Sequence, residues 1–202
     1  MSVFLNRIHA GRLLARRLFS QKREESLVAA IPRGGVVVGY EISTFLKLPL
    51  VALVIKKVPT FGQPELAAGA VGPEGVYIGK KSGRIEKLVA ERVKKYGSLT
   101  DFKGKKIILV DDGVATGATI ETAIYYLRNK GVAQITIAVP VVAKNEFERL
   151  TKLADKVVAL EIPDEFDAIG EFYKDFSQVN DSKVLQLLYK NEGNNCHRES
   201  RN

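Results

Sequence analysis

Two adjacent carboxylates, Asp111 and Asp112, stand at the end of an apolar run, Ile107-Ile108-Leu109-Val110. Seven compact residues follow them, Gly113-Val114-Ala115-Thr116-Gly117-Ala118-Thr119. Small side chains let an anion approach the backbone, whose N–H groups gather where the next helix begins. Thr116 and Thr119 add hydroxyl donors. A phosphate in that loop is repelled by the two acids unless something neutral or cationic lies between. A sugar phosphate meets the need: its ring hydroxyls donate to Asp111 and Asp112 while its phosphate fills the loop. A plain strand-to-helix turn with an acidic cap accounts for one Asp and one Thr, but not for the whole segment. No Gly-Lys-Ser/Thr follows the glycines and no G-x-G-x-x-G occurs, which excludes the common nucleoside-triphosphate and dinucleotide loops.

The elements that must hold this segment follow from periodicity. Phe4, Ile8, Leu14, Ala15 and Leu18 form one helical stripe over residues 4–19, and Val38, Ile42, Phe45 and Leu46 another. Ile85, Leu88, Val89, Val93 and Tyr96 predict a third helix. Ile120, Ala123, Ile124 and Leu127 predict a fourth, ended by Gly131. Between them, residues 27–31, 50–55, 107–110, 135–142 and 157–160 are short continuous apolar runs. Such runs alternating with helices predict an α/β fold, a parallel sheet with helices on both faces, whose ligands sit beyond the carboxyl ends of the strands. Residues 58–80 hold Pro59, Gly62, Pro64, Gly69, Gly72, Pro73, Gly75 and Gly79. They read as a long mobile loop containing a short ribbon at Ala70-Val71 and Val76–Ile78. The polar stretch after Lys190 reads as a disordered tail.

The 202 residues suit one domain with a sizeable core: residues 1–190, then a tail over 191–202. No apolar run approaches membrane-spanning length. The basic, amphipathic N-terminus lacks the apolar centre and cleavage site of a leader and reads as a core helix. One cysteine, Cys196, gives no internal disulfide and fits a reducing, cytoplasmic setting. The net charge of +8 points to polyanionic partners, nucleic acid or a small polyphosphate. Its lysine and arginine pairs are scattered, without aromatic interleaving.

Four apolar residues, two acids and then G-x-A-T-G-x-T closely resemble the signature of the type I phosphoribosyltransferases. Nearly the whole chain resembles a subgroup of that family, in HAGRLLARRL, IPRGGVVVGYEI, KKVPTFGQPELAAGAV and PDEFDAIGEFYKDF. The resemblance implies a donor, 5-phosphoribosyl-1-pyrophosphate, bound by Asp111, Asp112 and Gly113–Thr119. It implies a second loop, Ile31-Pro32-Arg33-Gly34-Gly35, that holds pyrophosphate and contains a cis Pro32–Arg33 bond. It also implies a basic residue, Lys57 with Lys56 beside it, ahead of a lid over about 58–80, and a hood over about 143–180. Asp111, Asp112, Arg33 and Lys57 are then the catalytic set. Mg²⁺ is the implied cofactor, with Asp111, Asp112 and Asp175 as its candidate partners, and a homodimer is the implied assembly.

For the acceptor, a nucleobase, residues 161–166 resemble a segment of hypoxanthine-guanine enzymes. That offers Phe166 for stacking, Asp167 for the ring edge and Lys144 for a 6-oxo group. Ala115 departs from those enzymes, which carry an Asp at that place; adenine-type enzymes have Ala. A purine is favoured and its identity stays open. The other reading is a regulator that senses the donor and binds nucleic acid. About 26 residues before the first strand are too few for a winged helix.

Overall fold

The computed structural model describes residues 3–19, 26–60, 63–73, 75–79, 83–97 and 101–199. Its centre is a five-stranded sheet built from β1 (Ser26–Ala30), β2 (Leu50–Ala52), β6 (Lys106–Val110), β7 (Gln134–Val141) and β8 (Lys156–Glu161), in the order β2-β1-β6-β7-β8. Every pairing in it is parallel. Successive residues of β1 and β6 feed opposite cores: Val28, Ala30, Ile108 and Val110 on one face, Leu27, Ala29, Ile107 and Leu109 on the other. That is why these strands read as unbroken apolar runs. The first face is covered by α1 (Arg7–Arg17), α2 (Gly34–Leu46) and α6 (Asp181–Glu199), the second by α4 (Ala118–Asn129). Gly131, at φ +71°, ends α4 as its position predicted. No helix among the described residues is long and apolar enough to cross a membrane.

The chain leaves β1 toward β2 on one side and β6 toward β7 on the other, so β1 and β6 flank the point where the winding reverses. Crevices at such points bind ligands. Here the strands end in step, with Ala30 beside Val110 and the Ile31 N–H donating to the Val110 carbonyl at 2.8 Å. The loops that follow, 31–35 and 111–119, therefore start side by side.

Three expectations are corrected. The 58–80 stretch is not mainly loop: β3 (Lys56–Thr60), β4 (Gln63–Gly72) and β5 (Gly75–Gly79) form an antiparallel sheet, with irregular register on both sides of Pro59. The first helix starts at Arg7 because Asn6 caps it, accepting from the His9 N–H at 3.0 Å, so Phe4 lies outside it and Ile8 stays exposed. The tail over 191–199 continues α6. Asn191 is its anchor, buried, accepting from the Leu50 N–H at 2.9 Å and donating to Ser43 Oγ at 2.6 Å. α5 (Lys144–Leu150) was not foreseen either, being too short for a periodic stripe.

Candidate active site

Asp111 begins where β6 ends, and its carboxylate Oδ1 accepts from the Asp112 N–H at 2.8 Å. Burial, and then the neighbouring Asp112 charge, push the Asp111 carboxyl well above the usual carboxylate range. Asp112 is held by two segments far apart in the sequence. Arg7 Nε donates to its Oδ2 at 2.7 Å, and the Tyr173 hydroxyl donates to its carbonyl at 2.6 Å. Burial also raises the Tyr173 hydroxyl above its ordinary value, which keeps it a donor.

The pyrophosphate-loop candidate packs straight onto this pair. A Cβ on Gly34 would collide with the Asp112 carboxylate, and one on Gly35 would lie 2.9 Å from Asp111 Cα and from the Val110 carbonyl. Neither position leaves room for a side chain, which explains the paired glycines. The Pro32–Arg33 peptide is cis, as the family resemblance implied. Arg33 reaches toward Asp181 at 3.8 Å, and Asp181 also accepts from Tyr96 Oη at 2.6 Å and from Lys95. A cavity of about 380 Å³ opens here, lined by Arg7, Arg33, Gly34, Phe176, Gln178 and Val179.

In the second loop, Gly113 abuts Ile169, and Val114 bonds to the β7 end through the Val141 and Ala143 backbones. Ala115, Thr116 and Thr119 are exposed, and Gly117 takes a left-handed φ of +67° to start α4. Among the described residues, no acceptor bonds the N–H groups of Ala115, Thr116, Gly117, Ala118 and Thr119. Five open donors at a helix start make an anion nest. From outside, Arg149 braces it, donating to Glu146 at 2.7 and 2.9 Å, to Glu121 at 2.6 Å and to the Thr116 carbonyl at 3.4 Å.

The remaining candidates are dispersed. Lys57 pairs with Ala70 across β3 and β4, and its side chain lies outside the described residues. Most of the lid candidate's side chains lie outside them too. Phe166 stacks on Phe172, with centroids 5.5 Å apart, and does not line the cavity beside Arg33. Asp167 is exposed. Lys144 is exposed and paired with Asp164, which raises its pKa. Asp175 is exposed and accepts from the Ser177 N–H, which holds its carboxyl below the usual range. Sequence reasoning missed Arg7, Tyr173, Phe176, Asp181 and Arg149. All are brought in by contacts between distant segments; an arginine at the very start of α1, in a turn without acids, was the one available hint.

Among the described residues no three His, Cys, Asp or Glu side chains gather to hold a metal by themselves. The Asp111–Asp112 pair nonetheless suits Mg²⁺, which takes one or two carboxylates and fills its shell with water and substrate oxygens.

A parallel sheet with an acid pair and an anion nest at its switch point has the parts to receive a phosphorylated sugar. Comparison with known proteins names the family. The model of the phosphoribosyl transferase domain matches residues 5–176, and the chain belongs to this family. Two Mycobacterium tuberculosis proteins, each named a putative phosphoribosyl transferase, are 34% identical over 207 residues, covering 93% of this chain and 47% of theirs. The chain thus spans about half the length of these curated relatives. The crystal structure of TT1426 from Thermus thermophilus superposes with a TM-score of 0.84 at 35% identity, covering 94% of this chain and 99% of that one. A purine phosphoribosyltransferase from Pyrococcus horikoshii shares the fold, with a TM-score of 0.52 at 18% identity over 86% of this chain and 93% of its own.

Proposed function

We propose that this protein moves the phosphoribosyl group of 5-phosphoribosyl-1-pyrophosphate onto a purine base and releases pyrophosphate. The observation that carries the reading is the interlock of the two loops, with Gly34 and Gly35 seated on Asp111 and Asp112 beside five open N–H donors. The 5-phosphate fills the 115–119 nest. The ribose hydroxyls donate to Asp111 and Asp112, and pyrophosphate lies along Arg33, Gly34 and Gly35. This leaves ribose C1 facing the cavity that Phe176 lines.

The acceptor nitrogen attacks C1 as the bond to pyrophosphate breaks, through a transition state with oxocarbenium character. No side chain need form a covalent bond. Positioning and fixed charge carry the rate, with Arg33 facing the leaving group and Lys57 assigned to it by the family resemblance. Mg²⁺ held at Asp111 and Asp112 would neutralise charge developing on pyrophosphate. A purine is favoured because an aromatic wall serves a planar acceptor and because residues 161–166 resemble a segment of hypoxanthine-guanine enzymes. Ala115 supplies no proton-handling carboxylate for the ring. The test is a screen of purine and pyrimidine bases with donor and Mg²⁺, reading pyrophosphate release. Release with a purine is expected; release with orotate or uracil alone would refute the purine, and release with no base would refute the transferase.

A further inference from the structure

Arg7 is engaged on three sides. Its Nε donates to Asp112 Oδ2 at 2.7 Å, its Nη1 donates to the Ser177 carbonyl at 2.9 Å, and its guanidinium carbon lies 3.8 Å from the centroid of the Phe176 ring. The Arg7 and Asp112 side chains are 11% and 14% exposed, so the pair is largely withdrawn from solvent. A Cβ on Gly34 would come within 2.8 Å of Arg7 Nε. The guanidinium therefore sits between the acid that faces the ribose and the loop that faces pyrophosphate, and it lines the cavity with Arg33.

Helix energetics do not account for this placement. Arg7 is the first residue of α1, where the helix dipole disfavours a cation. Two carboxylates side by side in a buried site, in contrast, need a positive charge at once. Asp112 meets that need with Arg7, whose guanidinium lies against its carboxylate. Cations in such sites are commonly metal ions, yet here a side chain of the same chain stands against the carboxylate.

We infer that Arg7 is a built-in counter-ion of the donor site, which holds the Asp112 carboxylate oriented for the ribose hydroxyls without a divalent cation. The inference rests on the transferase reading and adds to it a residue and a consequence. Donor binding, as distinct from turnover, is largely independent of metal because Arg7 supplies the charge at Asp112. An uncharged residue at position 7 transfers that duty to a metal.

Calorimetric titration of the full chain with the donor, in EDTA and in Mn²⁺, tests this. In EDTA the wild type binds, and Arg7→Gln binds roughly 10- to 100-fold more weakly, the scale of a lost charged hydrogen bond. Mn²⁺ restores most of that loss, and Arg7→Lys, which keeps the charge, stays within a few-fold of wild type in EDTA. Equal affinity of wild type and Arg7→Gln in EDTA overturns the inference, as does a loss that Mn²⁺ leaves unchanged, the mark of a purely structural role. A second measurement needs no variant: Mn²⁺ titrated into wild type without donor, followed by its paramagnetic resonance, shows no tight uptake. Tight uptake overturns the inference even if Arg7→Gln does not fold. A wild type that binds no donor in either buffer refutes the transferase reading itself, whereas failure confined to Arg7→Gln leaves that reading standing.

Discussion

Gly34→Ala isolates the contact on which the site depends. The new methyl carbon would lie 2.5 Å from Asp112 Cγ and 2.8 Å from Arg7 Nε, where ordinary contact is 3.4–4 Å. Gly34 is absent from the positive-φ positions, so alanine costs nothing in backbone strain and the whole effect is steric. The Asp112 carboxylate, whose Oδ2 is nearer still, must retreat by roughly 1.5 Å, or the 31–35 loop must lift off it; overpacking of this kind costs about 1–3 kcal/mol. At about 2–4 °C per kcal/mol for a domain of this size, the melting temperature falls by several degrees. The donor then loses the Asp112 hydrogen bond, worth about 1.5–3 kcal/mol, or roughly 10- to 150-fold in Kd. Gly83→Ala is the control, since a methyl there meets nothing within 4 Å at the start of α3 (Gly83–Tyr96). Thermal melts and donor calorimetry on both variants give the comparison. If Gly34→Ala matches Gly83→Ala in both, the interlock is not the donor site and the assignment of the two loops fails.

The remaining predictions concern charge, bracing and stacking. Because the folded state raises the Asp111 pKa, the native chain binds the extra proton and loses stability as pH climbs above the ordinary Asp value. Asp111→Asn lacks that loss, so urea unfolding without donor should show its advantage growing from about pH 4 upward, and a flat difference would refute the shift. Arg149→Ala removes the brace behind the phosphate nest. It should raise the donor KM about 10-fold while costing no more than about 1 kcal/mol in stability, the range for a partly exposed pair, and an unchanged KM would exclude the bracing role. Phe176→Ala should weaken purine binding by about 0.5–1.5 kcal/mol beyond lost area, and Phe166→Ala by less, since Phe176 lines the cavity beside Arg33 and Phe166 does not. The reverse order in competition binding would return the acceptor to Phe166.

What the sequence disclosed was what is contiguous. β6, the acid pair, the small-residue loop and α4 form one run of some twenty residues, so periodicity and motif point to the same chemistry. Of the 56–79 sheet only the ribbon of Ala70-Val71 against Val76–Ile78 was legible, because Gly and Pro signal turns when their cross-strand partners are unknown. Gly72 packs against the Tyr126 ring, and Pro59 sits at a register irregularity, where its missing N–H is tolerated. Asn191 looked like tail because its partners, Leu50 and Ser43, lie far back in the sequence. Arg7, Tyr173 and Phe176 escaped for the same reason: single polar or aromatic residues carry no spacing signal until the fold brings them together.

The stretch around Phe4 has a consequence for the order of assembly. Val3 and Phe4 donate to the Phe172 carbonyl at 3.0 and 2.8 Å, and the Phe4 ring lies 5.3 Å from that of Tyr173. During synthesis from the ribosome, this first segment waits without its partner while all five strands of the central sheet emerge. Long-range closures of this kind form late. A ribosome-bound chain stopped after β8 can pair its strands and still lack the hydroxyl on Asp112 and the ring under Arg7. Asp112 and Arg7 thus gain these partners after the sheet, when the two distant segments meet.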